Sequence, residues 1–164
     1  MKRTDLTGLI FILLLSVSFS LQAQCNMQST EQGEGNVTYY LNPELIADDS
    51  QFGIALSVQS VSDKYYLALT YKFSGMAQAL EEKVSIELTS GYTLDLDMYT
   101  MEVGNAGGIE LCMAVYNLES EVIPYFRASD MKTIHFKSQD GKAYDIPVNH
   151  NADALKRQLR CFGL

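Results

Sequence analysis

Residues 84–98, VSIELTSGYTLDLDM, decide the fold class. Val84, Ile86 and Leu88 fall on one face of an extended chain, Ser90-Gly91 supplies a two-residue turn, and Tyr92, Leu94, Leu96 and Met98 continue the alternation. Successive side chains of a strand point to opposite faces, so a period of two on both sides of a glycine-bearing turn reads as a β-hairpin with one buried face. The same pattern recurs on either side. Upstream, Ile54, Leu56 and Val58 alternate, Ser62-Asp63 interrupts, and Tyr65, Leu67, Leu69, Tyr71 and Phe73 align again, which predicts a second hairpin. Downstream, Ile134 and Phe136 lead through Asp140-Gly141 into Tyr144, Ile146 and Val148, a third. Ile109, Leu111, Met113 and Val115 predict a further strand after the loop GNAGG at 104–108. Val37–Leu41 opens the set and stops at Asn42-Pro43, because proline has no N–H to offer a ladder.

Helical readings are confined to three places. Met76–Lys83 reads as one helical turn or a connector, and Pro124 within Ser120–Ser129 permits only a short or distorted helix. After Asn151, a candidate cap, Ala152, Leu155, Leu159 and Phe162 form one apolar stripe, with Lys156, Arg157 and Arg160 outside it. A helix of ~11 residues melts alone in water, so the stripe must pack on the sheet. The expected fold is mainly β, with α+β as the alternative: an antiparallel β-sandwich or curled sheet of about seven to eight strands carrying a C-terminal amphipathic helix.

The 164 residues suit one domain. Lys2 and Arg3 precede the apolar run LIFILLLSVSF at 9–19 and the small Ala23, so residues 1–23 read as a signal peptide. That run is about half the ~20 residues a spanning helix needs, and no second such run follows, so no integral membrane span is expected after cleavage. Residues 24–36, QCNMQSTEQGEGN, carry few apolar groups and read as a flexible leader, and 37–164 as a single β-rich domain. The exported protein is expected in the periplasm or outside the cell. The alternative is a lipid anchor through Cys25, although Gln24 stands where a lipobox has a small residue. A net charge of −8 argues against nucleic acid and against an anionic membrane surface, both of which need a basic footprint.

Cys25, Cys112 and Cys161 in an oxidising compartment imply one disulfide and one thiol left over. Cys112 falls in an apolar strand and Cys161 near the end of an apolar-faced helix, so Cys112–Cys161 is the expected pair, with buried free thiols as the alternative. The sequence assigns no catalytic, cofactor or metal residues. Asp95 and Asp97 read as the solvent face of an amphipathic strand, His135 and His150 lack the spacing of metal ligands, and neither a Gly-x-Ser-x-Gly elbow nor a phosphate loop is present. Ten tyrosines without tryptophan suit a binding face, since tyrosine joins a flat apolar ring to a polar tip. Tyr65, Tyr66, Tyr92 and Tyr99 are the candidate binding surface.

The run Met131-Lys132-Thr133-Ile134-His135-Phe136, then Asp140-Gly141-Lys142, Tyr144-Asp145-Ile146 and a last helix ending Arg160-Cys161-Phe162, resembles the C-terminal half of small exported proteins of Bacteroidetes-type bacteria. The pattern extends over residues 52–162, and the signal ending in Ala23-Gln24 is similar too. The resemblance implies an exported β-rich domain and carries no active site with it. The expected function is an exported, non-catalytic binding or accessory domain for a protein, glycan or small-molecule ligand. Two alternatives stand beside it: a carrier of a small apolar ligand between sheet and helix, lined by Leu155, Leu159 and Met113, and a small periplasmic hydrolase built on His135 or the Asp95/Asp97 pair.

Overall fold

The computed structural model describes residues 25–32, 36–49 and 51–164, so the signal peptide read at 1–23 lies outside the described residues. The strands are β1 (Met27–Gln32), β2 (Asn36–Leu41), β3 (Glu44–Asp48), β4 (Phe52–Val61), β5 (Lys64–Phe73), β6 (Leu80–Leu88), β7 (Thr93–Ala106), β8 (Ile109–Asn117), β9 (Met131–Ser138) and β10 (Ala143–Pro147). The helices are α1 (Ile123–Ala128) and α2 (Ala154–Cys161). All strands join one antiparallel sheet in the order β1-β2-β4-β5-β8-β7-β6-β9-β10, with β3 beside β4. The three hairpins read from alternation are β4–β5, β6–β7 and β9–β10. At the first, Ser62 and Asp63 both take positive φ, 48° and 63°, the turn geometry whose twist matches that of the flanking strands.

The sheet folds over on itself at β7. Thr93–Asp97 pair with β6, while Met98–Ala106 pair with β8, and the register shifts between Met98 and Thr100. Such an irregularity bends a strand and sharpens its twist, so one 14-residue strand serves two layers. Their inward faces share a single core, in which Ile54, Leu56, Leu67, Leu69 and Tyr71 of one layer join Val84, Ile86, Ile134, Phe136 and Ile146 of the other. The Phe52 ring lies 5.0 Å from Tyr144, and Tyr71 lies 4.8 Å from Phe136, both across the layers. Leu155 and Leu159 of α2 are fully buried in the same core, as the stripe requires.

The other side of the fold is closed by side-chain amides. β2 and β3 run along one edge of β4 as two parts of an interrupted strand, β2 opposite Gln59–Val61 and β3 opposite Gly53–Leu56, with Asn42-Pro43 between them. At this gap Gln158 of α2, itself buried, accepts the Val58 N–H through Oε1 at 2.7 Å and donates through Nε2 to the Asn42 carbonyl at 3.3 Å. Beyond β10, the N–H groups of Asn149 and His150 both donate to the Ile46 carbonyl of β3 at 3.1 Å. The Asn149 amide exchanges two hydrogen bonds with the Asp48 backbone, of 3.1 and 2.9 Å, and Asn151 Nδ2 donates to the Leu45 carbonyl at 2.9 Å.

Four expectations need correction. Residues 27–32, read as part of a flexible leader, form β1 and pair with the whole of β2, because backbone hydrogen bonding holds a strand whose side chains from Met27 to Glu31 are exposed. Met76–Lys83 is not helical: β6 already begins at Leu80, which is buried in the core. Asn151 does not cap the helix, since its side chain is engaged with Leu45 and the residue at the N-cap is Asp153. The disulfide joins Cys25 to Cys161, not Cys112 to Cys161, and Cys112 is a free, buried thiol. Tethering the start of β1 to the end of α2 is compatible with an oxidising compartment. It also occupies the sulfur that a lipid anchor on Cys25 would need. Among the described residues no helix is long and apolar enough to cross a membrane.

Truncating Gln158 tests the amide closure. Gln158→Ala leaves the buried Val58 N–H without its partner, and the expected loss is ~1–3 kcal/mol in urea unfolding. Leu159→Ala should cost ~2–5 kcal/mol through the cavity it opens. Arg160→Ala, at an exposed position, should stay within ~0.5 kcal/mol, and a Gln158 variant no worse than this control would contradict the role given to the amide.

Candidate functional site

Two outward faces of the sheet carry the side chains free to meet a ligand. On the β7–β6–β9–β10 layer, inward Val84, Ile86, Ile134, Phe136, Tyr144 and Ile146 leave the alternate positions to solvent. Strand register lines up Asp95, Ser85, His135 and Asp145 in one row across four strands. Ser85 Oγ donates to Asp95 at 2.5 Å, and His135 Nδ1 lies 2.6 Å from Asp145 Oδ1. His135 Nε2 is 3.9 Å from Glu87, whose carboxylate is held below its usual range chiefly by hydrogen bonds from Lys132, at 2.7 Å, and from Thr133. Asp97 pairs with Lys83 at 3.2 Å. A shallow cleft of 310 Å³ opens here, lined by Ser85, His135, Lys137 and Asp145 among others.

The row brings a serine, a histidine and an aspartate together, which the sequence reading did not foresee because the three lie on different strands. It does not make a nucleophile. The Ser85 hydroxyl proton points to Asp95 rather than to a His135 nitrogen, whereas activation needs the serine on the histidine and the histidine oriented by the acid. Asp95 and Asp97 each have their own partner, on serine and lysine respectively, and His150 is exposed and engaged only through its backbone in closing the fold. Among the described residues no group of three His, Cys, Asp or Glu side chains converges as metal ligands would.

The second face belongs to β4, β5, β8 and the distal half of β7. Here β8 directs Cys112, Ala114 and Tyr116 into the core and turns Leu111, Met113 and Val115 outward. Tyr66, Ala68 and Val115 form a second, smaller hydrophobic cluster on the outside, with Val61 packed against it. Beside it a groove of 240 Å³ is lined by Thr70, Glu102, Gly104, Asn105, Leu111 and Met113. Met113, at 39% exposure, and Tyr99, at 65%, stand open to water along with Ile109.

The four candidate tyrosines separate in space. Tyr66 and Tyr99 meet on this outer face with ring centroids 5.0 Å apart, and burial pushes the Tyr66 hydroxyl up from its usual pKa, with Tyr99 adding to the effect. Tyr65 points inward against the core, 6.0 Å from Phe162, and Tyr92 lies elsewhere, 5.0 Å from Tyr125 of α1. Adjacent residues on a strand must face opposite ways, which is why Tyr65 and Tyr66 cannot share a surface. For the same reason Met113 looks away from Leu155 and Leu159, so the three do not line a common cavity between sheet and helix. The outward row of β8 was readable only as a strand apolar on both sides.

Cys112 sits among Tyr71 and Tyr116, whose hydroxyls face each other at 3.4 Å inside the core. Burial pushes the thiol up to about 11 and Tyr116 up to about 12. Such a thiol stays protonated and unreactive near neutrality. No protein-family model, curated protein or solved structure matches the chain.

Iodoacetamide at pH 8, without reductant, should leave the native protein unlabelled and add one group, on Cys112, after unfolding. The raised thiol pKa also sets a sign for stability. The unfolded thiol loses its proton from about pH 9 and the folded one only near 11, so the contribution is intact below 9 and falls away as pH rises through that window. Urea midpoints of the wild type should therefore drop more steeply than those of Cys112→Ala between pH 9 and 11, and parallel curves would contradict the enclosed thiol.

Proposed function

We propose that this protein is an exported, non-catalytic binding or accessory domain that docks a protein partner on the outer face of β5, β8 and β7. One observation carries the reading. An antiparallel layer that faces water keeps its outer positions polar, yet this one clusters Tyr66, Ala68 and Val115 outside the core and continues into exposed Tyr99, Met113 and Ile109. Lys72 and Glu102, both exposed, flank the apolar strip with opposite charges, so a partner would be fixed in register by its rim as well as held by its centre. The groove among these side chains suits an apolar anchor residue of the partner.

Export is supported by the signal-like N terminus and by the Cys25–Cys161 disulfide. A hydrolytic reading would rest on the Ser85–His135–Asp145 row, and the hydrogen bond from Ser85 to Asp95 argues against it.

Nile red, an uncharged reporter of apolar surface, tests the docking face directly. The folded wild type should enhance its fluorescence saturably, and Met113→Glu should reduce that enhancement several-fold while leaving the thermal midpoint unchanged, since Met113 is outside the core. Enhancement that is absent from the wild type, or equal in the two proteins, would overturn the assignment of this face.

A further inference from the structure

The cysteine pair that the fold joins is the one an unfolded chain joins least often. Cys25 and Cys161 are 136 residues apart. Cys112 stands about 50 residues from Cys161 and about 90 from Cys25, and the entropy of closing a loop grows as three halves of RT times the logarithm of its length. Closure probability then falls as length to the power −3/2, so the unfolded chain forms Cys112–Cys161 about fivefold more often, and Cys25–Cys112 about twofold more often, than the native pair. Loop length thus favours a bridge to Cys112, and the folded protein has that residue fully enclosed and unbridged.

We propose that the native disulfide is reached by exchange from a Cys112–Cys161 bridge, and that the exported chain is a substrate of a dithiol–disulfide isomerase. This rests on the export proposed above. In the first step a protein disulfide oxidase takes two electrons and two protons from the Cys112 and Cys161 thiols, its own disulfide being reduced to a dithiol. In the second, the Cys25 thiolate attacks Cys161 Sγ. The Cys25–Cys161 bond forms, the Cys112–Cys161 bond breaks, and its electron pair leaves on Cys112 Sγ, which takes up a proton. No net oxidation accompanies this exchange. An isomerase performs the same change through a mixed disulfide with its own cysteine, which the chain's thiols later displace.

The fold makes the exchange one-way. Once β8 docks, Cys112 lies at zero exposure beside Tyr71 and Tyr116, where it can neither be attacked nor attack. The surviving bridge sits at the surface, with Cys25 exposed and Cys161 half-buried beside a cleft of 240 Å³ that Arg157 also lines, so a catalyst has access to the correct pair and not to the spare thiol. Pairing in the mature protein is thereby decided by which thiol the core removes, against the preference of the open chain.

The exported protein, purified, reduced and unfolded, is diluted into a glutathione redox buffer with and without a purified protein disulfide isomerase, acid-quenched at intervals and mapped by non-reduced peptide analysis. The earliest wild-type samples should hold Cys112–Cys161 in about fivefold excess over Cys25–Cys161, with the excess decaying as the native bridge accumulates and the isomerase hastening the change. Cys112→Ser and Cys112→Ala should form the native bridge without that lag and gain nothing from the isomerase. The two variants guard against either substitution disturbing the core, and the order of bridges in the wild type needs neither of them. A wild type in which Cys25–Cys161 is the first and main bridge, at a rate the isomerase leaves unchanged, overturns the proposal. Cell fractionation reads export separately, so a failed exchange route and a failed export reading give different results.

Discussion

An interrupted edge strand is the constraint around which this fold is arranged. Asn42-Pro43 breaks the strand that should run the length of β4, and a buried backbone N–H left there without a partner would cost ~1–3 kcal/mol. Gln158 answers with a primary amide, which has one acceptor and two donor hydrogens and so stands in for a missing peptide group. Asn149 and Asn151 do the same for β3. Because Gln158 lies on the helix whose Leu155 and Leu159 enter the core, closing the edge and docking the helix are one event.

The opposite side of the molecule is turned by β7, where a register shift lets a single strand belong to both layers. Together the bend and the amide closure leave β1 as the strand at one end of the sheet order, with the side chains of Met27 to Glu31 exposed. Edge strands of this kind invite pairing with other chains. Here the disulfide from Cys25 to the end of α2 ties that strand to the body of the protein. Its effect on the unfolded chain is also large in principle, since a bridge across so long a loop removes much of the freedom of the open state.

The two outer faces differ in what they offer. The β6–β9 face is a lattice of short-range pairs in which Asp95 is bonded by Ser85, Asp145 by His135 and Glu87 by Lys132. Exposed pairs of this sort contribute little to stability, and the Ser85 hydroxyl is bonded to Asp95 rather than to His135. The β5–β8–β7 face has the reverse character, with a small apolar cluster of Tyr66, Ala68 and Val115 and apolar Tyr99, Met113 and Ile109 left exposed beside it. That contrast separates a polar outer face from an apolar one.

Alternation alone determined the three hairpins, β8 and the apolar stripe of α2, because side-chain direction along a strand or helix follows from local geometry. It determined, too, that Tyr65 and Tyr66 must part. What local pattern could not decide is which way a strand turns when both of its faces are apolar: β8 placed Cys112 rather than Met113 inside, and that choice was made by the packing of Tyr71, Tyr116 and Phe136 around it. Nor could it show that polar residues 27–32 pair as a strand, since the partner that holds them is β2's backbone and not a hydrophobic face. The row from Asp95 to Asp145 and the bridge from Cys25 to Cys161 join residues far apart in the chain, and only register and closure bring them together. Physical adjacency across strands is a property of the whole sheet, so it enters with the tertiary structure and cannot be read from any one segment.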